Sequence, residues 1–175
     1  NIVNEAQKLS NIKKNEYVLD IASNDGTMLN FYRKDLVKVG IDPILSKFQK
    51  FYKNIDYGVP NFFSLSALKK KRLDKKYKII SALSVFYDLK KPNNFLKDIK
   101  KILHQDGIFI LEHADLLSIV RNNLFDTICH EHLEYYSSKI IIKIMKKNGL
   151  KVFDLKKNNT NGGSIRYYIA HNSSK

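Results

Sequence analysis

Twelve consecutive residues, Asp126-Thr-Ile-Cys-His-Glu-His-Leu-Glu-Tyr-Tyr-Ser137, hold two imidazoles, two carboxylates besides that of Asp126, two phenols and the chain's one cysteine. Histidine titrates near neutral pH, so His130 or His132 can take a proton from a bound molecule and return it. The carboxylate of Glu131 would orient such a ring and stabilise its charged form. Metal ligation is the weaker reading. Histidines two apart share a face only on a strand, and no third ligand stands nearby at an obvious spacing. Both imidazoles could instead cap or pack around the segment before Leu133. That reading would suit a lone histidine better than a His-Glu-His flanked by Cys129, Glu134, Tyr135 and Tyr136. The segment therefore reads as a place for acid–base chemistry without a metal.

A second stretch, Val18-Leu-Asp-Ile-Ala-Ser-Asn-Asp-Gly26, has the pattern of a nucleotide-cofactor loop. Asp20 closes a strand, and Ala22, Ser23, Asn24, Asp25 and Gly26 are small or polar ahead of a helix starting near Thr27. Such a turn lets backbone N–H groups and a helix N-terminus approach a nucleotide closely. Asp42, followed by Pro43, ends the second strand 16 residues beyond Gly26. A carboxylate there can accept hydrogen bonds from both ribose hydroxyls. The three-glycine fingerprint of a dinucleotide site is missing, and Asn24 and Asp25 would set a carboxylate against a diphosphate. A phosphate-free cofactor with a positive centre tolerates that acid better, and S-adenosylmethionine fits. Phe62 and Phe63, after the third strand, are candidates to flank an adenine, with core packing as the alternative. Leu83 and Ser84 end the fourth strand, at the carboxyl edge where open α/β sheets present ligands.

These residues need a scaffold, and the pattern predicts one of βαβ type. Apolar, β-branched runs mark strands at 17–21, 37–41, 57–60, 77–83, 108–112, 152–155 and 164–170. Helical spacing fits 27–34, 45–53, 65–72, 93–103 and 138–148, the last ending at Gly149. Alternation of this kind predicts an α/β fold, a seven-stranded, mostly parallel sheet with helices on both faces. With no repeat, linker or low-complexity tract, residues 1–175 read as a single domain.

Composition narrows the classes. A single cysteine excludes an internal disulfide and a four-cysteine zinc ribbon, which points to a reducing, cytoplasmic setting. No apolar run reaches the roughly 18–20 residues of a membrane span, and no signal peptide is visible. The formal charge of +14 favours polyanionic partners. However, the lysines are spread along the chain without the arginine and aromatic interleaving of a nucleic-acid platform, so the charge reads as solvated surface.

Together with Gly40-Ile-Asp-Pro43 and Asn161-Gly-Gly-Ser-Ile-Arg166, the two stretches resemble the S-adenosylmethionine-dependent sugar C-methyltransferases that act on nucleotide-linked 4-keto-hexoses. The order and spacing agree along most of the chain. The resemblance implies a Rossmann-like class I methyltransferase fold and S-adenosylmethionine as cofactor. It also implies His132 as the base that removes a proton beside the ketone, the resulting enolate attacking the sulfonium methyl in line. Glu131 and His130 would orient that base or hold the sugar, and Tyr87, Tyr135 and Asn161 would grip substrate hydroxyls. Cys129 stands among the substrate-binding positions, where members often carry a tyrosine that polarises the keto sugar. Full-length relatives add a zinc module before this domain and a further domain after it, so the chain resembles an excised central domain. The expected partner is a small molecule, a nucleotide sugar, with the protein a monomer or weak homodimer.

The rival readings are an O-methyltransferase on a sugar or small metabolite, an RNA methyltransferase, a non-catalytic nucleotide-binding module and a nicotinamide-dependent oxidoreductase. The missing glycines predict calorimetric binding of S-adenosylhomocysteine and none of NAD. Heat from NAD alone would overturn the reading of the loop.

Overall fold

The computed structural model describes residues 2–174. Its strands are β1 (Tyr17–Ile21), β2 (Val37–Ile41), β3 (Tyr57–Val59), β4 (Tyr77–Leu83), β5 (Leu103–Ala114), β6 (Leu150–Asn158) and β7 (Ser164–His171). They form one sheet in the order β3-β2-β1-β4-β5-β7-β6. From β3 across to β5 every neighbouring pair is parallel, whereas β7 runs antiparallel to both β5 and β6. The central strands are apolar in continuous runs such as Val18-Leu19 and Phe109-Ile110-Leu111, because both of their faces are buried. The reversal at β7 follows from a short connection, since only antiparallel strands can be joined by so few residues. Asn161, Gly162 and Gly163, with φ of 51°, 76° and 139°, make that turn.

The helices are α1 (Ile2–Ser10), α2 (Thr27–Asn30), α3 (Leu45–Phe48), α4 (Leu65–Lys70), α5 (Pro92–Ile102), α6 (Leu116–Arg121) and α7 (Ser138–Lys147). Side chains alternate along β5 and so feed two cores. Phe109 and Leu111 pack with Leu68, Leu96, Ile99, Ile141 and Met145 of α4, α5 and α7. Ile108 and Ile110 pack on the opposite face with Val3 and Ala6 of α1 and with Leu29 of α2. The expected α/β architecture, seven strands with helices on both faces, is therefore present.

Several boundaries differ from the sequence pattern. The helix expected at 27–34 stops at Asn30, because the chain must turn back to reach Val37, and Arg33 there pairs with Asp35 and donates to the Ile12 carbonyl. The helix expected at 45–53 is a turn of α-helix continued by a 3-10 turn at Gln49–Phe51. Strand β5 runs on to Ala114 and β6 through Lys156 and Lys157 to Asn158, since antiparallel pairing with β7 extends the ladder there, and β5 starts early at Leu103, which pairs with Tyr77 of β4. Two helices had no expectation. Helix α1 buries Val3, Ala6 and Ser10 at helical spacing. Helix α6 is capped by Asp115, whose carboxylate accepts the Ser118 amide at 3.2 Å. No helix among the described residues is long and apolar enough to cross a membrane.

Candidate active site

The bend after β1 is held in an unusual backbone state. Ala22, Asn24 and Gly26 have φ of 57°, 47° and 74°, and Ser84, after β4, has φ of 54°. Left-handed conformations in residues other than glycine are costly and persist where the surroundings over-determine them. Here the surroundings do so through hydrogen bonds. The amides of Ala22 and Ser23 donate to the Ile41 carbonyl and that of Gly26 to the Ser23 carbonyl. The Asn24 amide donates to Asp42 Oδ2 at 3.0 Å and the Thr27 amide to Asp25 Oδ1 at 2.9 Å. Five of the six amides from Ala22 to Thr27 are thus engaged within the protein. The bend is pre-folded by its own bonds, with few of its amides left as donors for a diphosphate.

Beside the bend lies a cavity of about 540 Å³ lined by five of the expected residues, Asp20, Ala22, Ser23, Asp25 and Leu83. Met28 and Phe31 join them, as do Ile2 and Val3 of α1. The wall is mostly apolar around one buried carboxylate. Asp20 Oδ1 accepts the Ser81 hydroxyl at 2.6 Å. Burial, more than the nearby Asp42 charge, pushes the Asp20 carboxyl up to about 7, with the Ser81 bond acting the other way. A buried carboxylate without a cationic partner suits a positively charged ligand, and apolar walls suit an adenosyl or thioether group. The residues present therefore fit S-adenosylmethionine.

Asp42 is buried at the end of β2 and also accepts the Ile44 amide, at 2.8 Å, across Pro43. Each of its oxygens keeps a second lone pair of the kind a ribose hydroxyl could use. Phe62 is 76% exposed next to that edge. Phe63 is half-buried and its ring packs edge-on against Phe95 at 5.1 Å, the core packing that was the alternative reading. The Ser84 side chain sits by Tyr87, whose hydroxyl burial pushes above its usual value. One short 3-10 turn, Phe86–Asp88, thus links the cofactor edge to the reaction edge.

A second cavity, about 350 Å³, brings together Tyr87, Asp126, Thr127, His132 and Asn161. The His132 ring lies 4.4 Å from the Tyr87 ring, and its Nδ1 is 2.7 Å from the Thr127 carbonyl oxygen. A carbonyl only accepts, so Nδ1 carries a proton, and in the neutral ring the lone pair is on Nε2. The phenol of Tyr135 also donates to Thr127, at 3.4 Å. His130 and Glu131 are exposed and lie outside this lining, and Cys129 contributes its carbonyl to the His132 amide. The ring is therefore oriented by a backbone carbonyl, which no residue-type pattern reveals, where Glu131 was the expectation. Sequence reasoning also passed over Asp126 as a lining residue and Asp88. Burial raises the Asp88 carboxyl, while His132 lowers it and Glu131 raises it, so the three share one electrostatic neighbourhood. Tyr136, buried against Phe86 at 5.4 Å, anchors the segment in the core. Among the described residues no three His, Cys, Asp or Glu side chains gather as a metal site would require.

Comparison with known proteins bears on the family and the fold. A family model described as a methyltransferase domain matches residues 2–155. The C-methyltransferase NovU of Streptomyces niveus is 36% identical over 75 residues, a match that takes in 43% of this chain and 18% of NovU. An S-adenosylmethionine-dependent methyltransferase of Clostridium acetobutylicum superposes with a TM-score of 0.72 at 13% identity, over 97% of this chain and 89% of that one. Magnesium protoporphyrin IX methyltransferase of Synechocystis, solved with S-adenosylhomocysteine, gives a TM-score of 0.68 at 14% identity, over 97% and 80%. At such identities the structural likeness speaks for the fold.

The raised Asp20 carboxyl makes a signed prediction. Its folded value lies above its unfolded one, so the folded state holds an extra proton between about pH 4 and 7, and the stability this gives is lost as pH rises through 7. Asp20→Asn should melt several degrees above the parent at about pH 8 and level with it near pH 4, while binding S-adenosylhomocysteine more weakly. Calorimetry at the two pH values checks this. Equal melting at pH 8 would mean that Asp20 ionises there without cost.

Proposed function

This chain belongs to the methyltransferase domain family and is an S-adenosylmethionine-dependent transferase, and from that premise we propose that it methylates the carbon beside the ketone of a nucleotide-linked keto sugar. The observation that carries the proposal is the His132 ring. Its Nδ1 proton is fixed on the Thr127 carbonyl, which leaves Nε2 free as a base in a ring that lines the smaller cavity. Carbon is a poor nucleophile until deprotonated. A proton next to a ketone is the one a neutral imidazole can remove, because the charge passes to the ketone oxygen as an enolate. A positioned base of this kind contributes about 10²- to 10⁴-fold in rate, and alignment adds a proximity term.

The other lining residues suit a sugar. The Tyr87 hydroxyl and the Asn161 amide are donors for the enolate oxygen or a ring hydroxyl, and the Asp126 carboxylate accepts from a hydroxyl. The phenol of Tyr87 keeps its proton, because burial holds its titration above the usual value. Bound S-adenosylmethionine supplies an electrophilic methyl group. The cavity, at about 350 Å³, sits at the small end of the roughly 300–1,000 Å³ range for ligand pockets, which favours a single sugar ring over a polymer. The match to a protein named a C-methyltransferase supports carbon over oxygen as acceptor. The spread of lysines over exposed faces supports a small molecule over RNA.

The test uses a nucleoside-diphosphate 4-keto-hexose in D₂O. The wild type should exchange the proton next to the ketone and form a C-methyl product. His132→Ala should abolish the exchange and lower kcat about 10²- to 10⁴-fold, while Glu131→Gln should lose less. Turnover that is intact in His132→Ala, or an O-methyl product formed without exchange, would overturn the enolate reading.

A further inference from the structure

Two of the seven glycines in the chain lie tight against one side chain that has no part in either cavity described above. A Cβ on Gly40 would stand 2.8 Å from the Tyr52 ring and one on Gly26 3.1 Å, the latter meeting Ile55 first. These glycines come from β2 and the cofactor bend, so two separate segments leave room for the same phenol. The space directs the hydroxyl of Tyr52 to the underside of the bend. There it lies 2.7 Å from Ser23 Oγ and donates to the Asn24 carbonyl oxygen at 3.1 Å. With the Asn24 carbonyl as its acceptor, the phenol takes its second bond from the Ser23 hydroxyl, so its one donor and one of its lone pairs are used. Burial pushes its titration up to about 12, so the proton stays in place at working pH.

We infer that Tyr52 is a positioning residue for cofactor binding, its hydroxyl holding the Ser23–Asn24 bend in the shape that receives S-adenosylmethionine. A glycine-rich loop reaches positive φ without cost, but this one places Ala22 at 57° and Asn24 at 47°. Tyr52 clamps the two residues that follow Ala22 from below, and Asp42 clamps the Asn24 amide from the side. Ser23 lines the cofactor cavity and Tyr52 does not, so the tyrosine acts only through the bend.

The test reads binding of S-adenosylhomocysteine by calorimetry beside thermal melting, and it is independent of whether the acceptor is a keto sugar. Failure of the parent to bind would fall on the cofactor reading, before Tyr52 enters. Tyr52→Phe, which removes one oxygen, should raise Kd about tenfold with a melting temperature within a few degrees of the parent. Because the strain is at Ala22, the double variant Y52F/A22G should recover most of the lost affinity, whereas a purely structural defect would gain nothing from a more flexible residue. An unchanged Kd in Tyr52→Phe overturns the inference. So does a loss of affinity matched by a large fall in melting temperature and not rescued by glycine at position 22.

Discussion

Parallel pairing is the constraint on which the rest depends. When β1, β2, β4 and β5 run the same way, their carboxyl ends must lie along one edge, whatever the distance between them in the chain. The register fixes this to the residue: Asp20 lies opposite Gly40 on one side and Ser81 on the other, and Ser81 lies opposite Ile110. Asp20 and Ser81, 61 positions apart, therefore meet in a 2.6 Å hydrogen bond beneath the cofactor cavity. Asp42, Leu83 and the segment after β5 arrive at the same edge for the same reason. Brought there together, they form a crevice outside the strand ends, where ligands of open α/β sheets bind.

Within that crevice the polar groups are largely pre-paired. The Asp42 carboxylate ties the ends of β1 and β2 by accepting amides from Asn24 and Ile44. Such internal pairing costs the bend its donors for phosphate but makes its shape independent of ligand. It leaves Asp20 as the main electrostatic feature facing the cavity, a carboxyl whose burial favours its neutral form until a cation arrives. The reaction edge uses the same economy. His132 is oriented by the Thr127 carbonyl in a 3-10 turn, and the segment is pinned to the core by Tyr136.

Charge is handled differently where β5 meets the antiparallel half of the sheet. Glu112 on β5 faces Arg166 on β7 in register, with Nε to Oε2 at 2.7 Å, and Asn158 donates to the same carboxylate at 3.0 Å. Glu5 reaches from α1 to Lys156 and accepts the Tyr168 hydroxyl at 2.6 Å. These contacts tie helix α1, whose first residues line the cofactor cavity, to the antiparallel half of the sheet. A partly buried pair of this kind contributes more to geometry than to net stability.

The elements were legible wherever apolar runs were buried on both sides, so β1, β2 and β4 have the bounds that their residues suggest. Legibility failed where the apolar signal was short, as in α6, or where pairing with β7 carried polar residues into a strand. Of the site, residue types pointed to Asp20, the Ser23–Gly26 bend, Asp42 and the His130–His132 pair, because carboxylates, imidazoles and small turn residues announce their chemistry, whereas Tyr87, Asn161 and His132 as the base came from the family resemblance. Phe63 left two readings open, since an aromatic beside a strand end serves a core or a ligand equally well, and it packs on Phe95. Thr127 and Tyr52 carried no such signal: one acts through its backbone carbonyl, the other through a slot that Gly40 and Gly26 leave open in the fold. Residue types and local periodicity were enough to read the chemistry on hand, all seven strands and five of the seven helices, because these follow from side-chain character and short-range spacing. Only the tertiary structure decided which histidine faces a cavity, which of its nitrogens is free and what holds the cofactor bend, because those depend on contacts between segments that periodicity does not encode.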